Sequence, residues 1–283
     1  MKEITKETKH MGTLVFKEID KNIARDLIIK NHYSHKFNTA FGNINIGVFQ
    51  KNVLLGVASF GYLMNPNSYS KIGNIEKNEI IELNRLWIDD KLGKNAETIM
   101  LGACWKLLKA NYPHIKLVQS FADGRLGCGT IYKAANFKYY GFHKTLFIEN
   151  ITTKDVIHNV CFTNTSRIRA FSHNNKLILD DNYNCFKVKT YRYIYKLDKK
   201  AVIYLKEKPY PQYDKGVEPA TFIPSDNMLG KLYWIYKTTN QMYYANKAVS
   251  LIRGDVDDVI NSQRYNKYVE SFILKYKNKE LSE

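Results

Sequence analysis

The sequence predicts an α/β (α+β) fold, a mixed sheet flanked by helices with a C-terminal helical extension. Strand-like and helix-like segments alternate between residues 44 and 140, as in a sheet covered by helices. The 283 residues, 45% of them hydrophobic, are enough to bury a core without disulfide or metal support. After residue 228 the pattern becomes rich in aromatic residues at helical spacing, so a separate extension is expected.

The spacing of apolar residues predicts the elements of the first 78 residues. Residues 14–30 predict a helix, because apolar residues recur there at three- and four-residue steps. Residues 44–49 and 53–62 predict two strands joined by a tight turn, and residues 65–78 are loop-like.

The following elements complete the predicted sheet. The strand at 80–88 alternates apolar and polar residues, and Pro113 ends the helix after it. In order, the elements are a strand at 80–88, a turn at 89–95, a helix at 96–111, a strand at 115–121, a short helix at 130–135, a strand from 137 and a strand at 187–195 that pairs back onto the sheet.

Proline and charge patterns predict the organisation of the tail. Four of the six prolines lie between residues 209 and 224, which is typical of a linker or extended arm. The predicted domains are therefore 1–212, a proline-rich linker at 213–227, and a helical extension at 228–283. A last helix is expected from Gly254-Asp255, with aspartates at its start and lysines at its end, as the helix dipole favours.

The charge balance favours a polyanionic partner. The formal net charge is +16, almost all of it contributed before residue 213, and such a surface attracts nucleic acid first and anionic membrane second. The alternative is compositional bias, since Lys, Asn, Ile and Tyr are all abundant. The apolar runs are too short to cross a bilayer and the start lacks a signal-peptide pattern, so a soluble cytoplasmic protein is expected. The four cysteines form no C-x-x-C pair, so free thiols are expected.

Two segments at strand ends could carry chemistry. Lys91-Leu92-Gly93-Lys94-Asn95-Ala96 opens a helix, where free N–H groups and two lysines would bind an anion such as pyrophosphate, although any solvated turn looks similar. Asp123 ends a buried strand, and glycines separate it from Tyr132. Asp123 is a candidate general base or metal ligand; equally, it caps the loop.

Two further groups are titratable or charged. His32-Tyr33-Ser34-His35 follows the first helix. Histidines in such a loop can serve in acid–base catalysis or metal binding, but more often they are surface residues without a catalytic role. Arg85 lies within an apolar strand and needs a partner there. Glu82, Asp123 and an anionic ligand are the candidates, with a structural salt bridge favoured.

Taken together, these motifs resemble the phage Mom family over about residues 13–212. The shared segments, in order, are His32-Tyr33-Ser34, Glu82-Leu83-Asn84-Arg85, Lys94-Asn95-Ala96-Glu97-Thr98, Ser120-Phe121-Ala122-Asp123-Gly124, Gly129-Thr130-Ile131-Tyr132 and Tyr191-Arg192-Tyr193-Ile194-Tyr195.

The resemblance implies the fold of GCN5-related N-acetyltransferases and a carbamoylmethyl-type modification of adenine N6 in phage DNA, which protects it from host restriction. It implies catalytic roles for His32, Arg85, Thr98, Asp123 and Tyr132. His32, Asp123 and Tyr132 would also be the ligands if iron is bound.

The resemblance also frames the partners and the donor. Double-stranded DNA is the expected partner, with Tyr33, His35 and Arg125 touching it and adenine flipped out. The turn at Lys91, Gly93, Lys94, Asn95 and Ala96 would bind an acetyl-CoA, aminoacyl or glycine-derived donor. Lys94 replaces the usual central glycine, which argues against ordinary acetyl-CoA. A dimer is a candidate oligomeric state. The rival functions are a CoA-dependent acetyltransferase of a small amine or protein, and a non-catalytic DNA-binding protein.

Overall fold

A computed structural model describes residues 2–38, 40–159, 162, 167–214, 216–252 and 264–281. The chain forms two compact units, one of Met1–His143 with Lys189–Gly216 and the other of Lys144–Val188 with Val217–Glu283. This division differs from the predicted boundary at residue 212, because two long strands each continue from one unit into the other.

Within the first unit the described elements alternate as the sequence predicts. They are β1 (Ile4–Thr8), β2 (Gly12–Glu18), α1 (Lys21–Asn31), β3 (Ile44–Gln50), β4 (Val53–Gly61), α2 (Tyr69–Ile72), β5 (Ile80–Ile88), α3 (Ala96–Asn111), β6 (Leu117–Asp123) and α4 (Thr130–Ala134).

The second unit is mainly helical. The two strands shared between the units are β7 (Lys138–Asn150) and β9 (Tyr183–Lys196). The remaining described elements are β8 (Val156–His158), α5 (Ile168–Leu179), β10 (Val217–Pro219), α6 (Asp226–Thr239), α7 (Met242–Ser250) and α8 (Lys267–Lys277).

A mixed sheet forms the framework of the first unit, confirming the predicted fold class. Strands β1 to β5 pair antiparallel in chain order, and β5 then pairs parallel with β6 through the α3 crossover. That parallel pairing covers only residues 80–82 of β5 and 117–119 of β6. Beyond it the strands lack ladder pairing, and we call the space between Leu83–Ile88 and Ser120–Asp123 the wedge.

Helix α3 covers one face of this sheet. The helix occupies Ala96–Asn111, the range that its periodicity predicts. Trp105 packs at its centre, stacked on Tyr195 with ring centroids 4.5 Å apart and edge-on to Phe137 at 5.4 Å and Phe60 at 6.3 Å. These aromatic contacts fix the helix against the sheet.

Helix α1 covers the opposite face, and here the prediction of a helix over residues 14–30 was partly wrong. Leu14 and Phe16 are buried in strand β2, at the two-residue spacing of a strand. The helix begins only at Lys21, because the Asp20 side chain accepts the Asn22 N–H at 2.7 Å and caps it. Its buried side packs on Val57 of β4.

The tail agrees with its predicted helical character in part. Helices α6, α7 and α8 share a core with α5, and the proline-rich stretch contains β10, which pairs with β9. The predicted helix start at Gly254-Asp255 lies outside the described residues, as does Cys161. Cys104, Cys128 and Cys185 are free thiols, as expected. In the part of the chain that the structure describes, no helix has the length and apolar character to span a bilayer.

Replacing Trp105 with Ala should destabilise the first unit by about 3–5 kcal/mol, the usual cost of a large-to-small change in a packed core. Urea unfolding followed by circular dichroism would measure it. The exposed neighbour Lys106 provides the control, and Lys106→Ala should change the midpoint little. Equal effects of the two substitutions would contradict this packing account.

Candidate active site

Buried polar groups gather where the parallel pairing ends. The Glu82 carboxylate accepts hydrogen bonds from Gln119 Nε2 at 3.2 Å, Asn84 Nδ2 at 3.3 Å and the Met64 N–H at 3.4 Å. Burial raises the pKa of Glu82 above its usual value. Buried positions in such a sheet are ordinarily apolar. A buried polar cluster where the β5–β6 pairing ends is therefore a candidate functional feature.

Ser120 links the two arms of the wedge. Its hydroxyl lies 3.0 Å from the Leu83 carbonyl oxygen on β5 and 3.0 Å from the Tyr132 hydroxyl. Tyr132 is carried by α4, whose N-cap residue is Gly129 with φ +89°. A Cβ on Gly129 would come within 2.6 Å of the Tyr193 ring. Burial raises the pKa of Tyr132 to about 12, so the phenol is protonated at neutral pH.

Asp123 lies at the open end of β6 and is held by its own loop. Its carboxylate accepts the Arg125 backbone N–H at 3.0 Å and pairs with the Arg125 guanidinium, whose Nε lies 3.0 Å from both oxygens. Asp123 thus caps this loop, whatever further role its carboxylate has. The ion pair also orders Arg125 beside the strand end.

His32 is held by its own loop as well. It ends α1, is only 7% exposed, and its Nδ1 accepts the Ser34 backbone N–H at 3.1 Å, with the Ser34 hydroxyl 2.8 Å away. Burial, followed by the charges of Arg85 and His35, lowers the pKa of His32 to about 4. The ring is therefore neutral at pH 7, and its proton resides on Nε2.

Tyr33 presents an aromatic surface at the same place. Its ring is 59% exposed and lies 4.2 Å, centroid to centroid, from the His32 ring. Desolvation and the Asp123 carboxylate raise the pKa of Tyr33, which places these two groups within electrostatic range. His35 also lies nearby, with Nδ1 2.9 Å from the Ile29 carbonyl oxygen.

Arg85 lacks the salt bridge that the sequence favoured. Its Nε donates to the Lys36 carbonyl at 3.1 Å, its Nη1 donates to the Asn84 carbonyl at 2.6 Å, and the guanidinium lies over Phe41. Among the described residues no carboxylate forms an ion pair with it. Asp123 forms its ion pair with Arg125, and Glu82 accepts hydrogen bonds from neutral donors. The positive charge of Arg85 therefore remains available to a ligand.

The predicted anion-binding turn has the expected backbone but no described contact with this cluster. Gly93 and Asn95 have φ values of +70° and +68°, and Asn95 gives α3 no side-chain cap. The first N–H groups of the helix are thus left without a side-chain acceptor. Lys94 is exposed, and Lys91 pairs with Asp89 at 3.8 Å. Thr98 lies half-buried in the first turn of α3.

The His, Asp and Tyr set does not fit iron as it stands. A metal-bound histidine usually donates its other ring N–H, whereas His32 Nδ1 accepts one. The Asp123 carboxylate is paired with Arg125, and the buried Tyr132 hydroxyl is hydrogen-bonded to Ser120. Among the described residues no group of three or more His, Cys, Asp or Glu side chains could hold a metal ion.

Sequence reasoning missed the polar cluster around Glu82. Glu82 was considered only as a partner for Arg85, and Gln119 and Arg192 were assigned no role. Two consecutive polar residues, Gln119 and Ser120, are buried within a strand whose other residues before Asp123 are apolar. Because neighbouring side chains point to opposite faces, this pair is the signal that both faces of the strand are polar at the wedge.

The His32 ring should titrate near pH 4 instead of near 6.5. NMR of the histidine ring protons would follow it, with the signal assigned by its loss in His32→Gln. Since the unfolded state binds this proton near pH 6.5, His32 should contribute stability that is lost as the pH falls from about 6.5 to about 4. An ordinary titration near 6.5 would contradict the described burial.

Comparison with known proteins identifies relatives of this arrangement. The sequence profile of the Mom protein family matches residues 13–212. The methylcarbamoylase Mom of Escherichia phage Mu is 37% identical over 130 residues, which cover 45% of this chain and 53% of that protein. The chain thus spans about half the length of this curated relative.

Solved structures similar to the chain are acetyltransferases. An N-acetyltransferase from Staphylococcus aureus Mu50 is 10% identical, covering 65% of this chain and 97% of its own, with a TM-score of 0.36. The IAA acetyltransferase from Bacillus cereus ATCC 14579 is 11% identical, covering 65% and 99%, with a TM-score of 0.37. No function follows from likeness at this level. The family profile, in contrast, covers most of the chain and all the site residues described above, and the chain belongs to the Mom protein family.

Proposed function

We propose that this protein modifies DNA by transferring a carbamoylmethyl-type group to the N6 amine of adenine. The observation that carries the proposal is the Mom-family match over residues 13–212, which spans the whole cluster around the wedge. The relative from phage Mu is named a methylcarbamoylase. In a phage-infected cell such a modification would protect phage DNA from restriction.

The charge distribution supports DNA as the substrate. The first unit contains 28 basic and 15 acidic residues, whereas the second contains 15 and 12. The unit that carries the wedge therefore holds most of the positive charge. Basic side chains on such a surface bind phosphates and release counterions, so we expect duplex binding to weaken steeply with salt.

A flipped adenine fits the exposed aromatic surface. The N6 amine is paired inside duplex DNA, so the base must leave the helix before it reacts. The Tyr33 ring is exposed and lies within electrostatic range of Asp123. Exposed aromatic rings of this kind stack on extruded bases. Arg125, whose charge also acts on Tyr33, and His35, two residues further along the chain, are the proposed phosphate contacts.

The side chains divide the chemical work as follows. The charge of the Asp123 carboxylate reaches Tyr33. Asp123 would accept the proton that leaves N6 as the new N–C bond forms and the bond between the donor and its leaving group breaks. His32, neutral and with its proton on Nε2, would donate a hydrogen bond that orients the base or the transferred group. Tyr132 and Ser120 would hold the wedge open at the reacting position.

Arg85 and the turn from Lys91 to Ala96 would hold the donor. Arg85 supplies a half-buried positive charge without an ion-pair partner among the described residues, and the α3 N-terminus supplies uncapped N–H groups. Thr98, in its first turn, would add a hydroxyl. The donor is either an acetyl-CoA-type thioester or an aminoacyl or glycine-derived compound, and Lys94 in the turn favours the second class.

Mass spectrometry of nucleosides tests the activity directly. DNA from cells expressing the protein should contain an adenine nucleoside heavier by a carbamoylmethyl group. An adenine pool without modification would contradict the proposal, and tight acetyl-CoA binding together with an acetylated small amine or protein would replace it with the acetyltransferase alternative.

The roles of Asp123 and His32 make a second prediction. Asp123→Ala and His32→Ala should each reduce the modified nucleoside at least 100-fold, within the usual range for removing an acid–base or orienting group. Asp123→Asn keeps the volume but cannot accept the proton, so it should fail as well. Asp26→Ala, which removes an exposed carboxylate on α1, should retain activity, and retained activity in the Asp123 variants would remove that residue from the catalytic set.

A further inference from the structure

Arg192 lies on the same face of the sheet as the candidate site. It is on β9, directly opposite Phe121 of β6, and Gln119 and Asp123 are the next residues of β6 on that face. Glu82 faces the same way, because it pairs with Gln119 in parallel register. Arg192 therefore borders the β6 arm of the wedge, whereas Arg85 lies on the β5 arm.

The ring contacts of Arg192 are aromatic. Its guanidinium carbon lies 5.5 Å from the centre of the Phe121 ring, and that ring meets His143 edge-on at 5.6 Å. Burial and the nearby Arg192 charge lower the pKa of His143, so the imidazole is neutral at pH 7. The buried Nε of Arg192 donates to no described acceptor.

No described carboxylate neutralises Arg192. The Glu82 carboxylate acts on the Arg192 charge, but its oxygens accept hydrogen bonds from Gln119, Asn84 and the Met64 N–H. The described ion pairs do not include Arg192, and Asp123 pairs with Arg125. Two half-buried guanidiniums, Arg85 and Arg192, thus flank the wedge, and among the described carboxylates Glu82 is the one whose charge acts on both.

A half-buried charge without a partner is unfavourable unless a ligand compensates it. Natural structures rarely leave a buried N–H donor unused, and each such group needs an explanation. A guanidinium matches a phosphate in shape and charge, since it donates two parallel hydrogen bonds to the oxygens. Two guanidiniums, one on the β5 arm and one on β9 next to the β6 arm, would hold a phosphate between them.

We propose that Arg192 and Arg85 bind a phosphate group at the wedge. The proposed function offers two sources for it, the DNA backbone next to the flipped adenine and a phosphate of the donor. The inference rests on the proposed function only for that choice of source.

Arg192→Gln tests the proposal, with Arg25→Gln as the matched control on α1, where the arginine pairs with the exposed Asp26. Fluorescence anisotropy with a labelled adenine-containing duplex, between 50 and 200 mM salt, measures DNA binding. Calorimetry with inorganic pyrophosphate measures binding of a free phosphate compound. Both assays work without catalysis, so nucleoside mass spectrometry reports the proposed function separately.

The two sources give different results. If the phosphate belongs to DNA, Arg192→Gln should weaken duplex binding several-fold and reduce the salt slope by about 1, the value for one lost phosphate contact. If it belongs to the donor, duplex binding should be unchanged and pyrophosphate binding lost. The proposal is overturned if Arg192→Gln behaves like Arg25→Gln in both assays.

A measurement on the unsubstituted protein guards against a misfolded variant. Phenylglyoxal labels accessible guanidiniums, and peptide mass spectrometry locates the label. Duplex DNA or pyrophosphate should protect Arg192 while Arg25 continues to react. Equal labelling of Arg192 with and without both probes, or no labelling in the free protein, would refute the phosphate site.

Discussion

The short parallel pairing between β5 and β6 is the constraint on which the rest of the site depends. Only three residues of each strand lie in register, ending at Glu82 and Gln119. After them the backbone groups that face the gap have no ladder partner, and side chains must satisfy them. Ser120 does so for the Leu83 carbonyl, and the same hydroxyl positions Tyr132. An opening in the sheet thus becomes a polar site.

Packing on the two faces holds that opening in place. Trp105 of α3 fixes one face through its aromatic contacts, while α1 packs on Val57 and Trp87 on the other. The end of α1 brings His32 and Tyr33 to the wedge, because the helix crosses the face that also carries Arg85. Charge at the site is therefore set by elements far apart in sequence, and burial lowers the pKa of both His32 and Arg85.

Local sequence signals predicted the elements whose ends they mark. Pro113 and the apolar periodicity gave α3 its exact bounds, and Lys51 and Asn52 form the tight turn between β3 and β4 with positive φ values. Residues 14–18 were assigned to a helix in error, since two buried positions in a short strand resemble part of a helical face. The cap at Asp20, a local signal, separates the two elements.

The sequence by itself determined the α/β class, the positive charge, and the motifs that mark His32, Arg85, Asp123 and Tyr132, because these depend on spacing and composition. Only the tertiary structure decided their partners. Asp123 pairs within its own loop, whereas Arg85 meets carbonyl groups and an aromatic ring. The sequence around Arg192 does not mark it as a site residue. It is a candidate ligand contact because strand pairing places it next to β6. Side-chain pairing and burial depend on contacts between segments that are distant in sequence, and a local sequence pattern does not specify which segments come into contact.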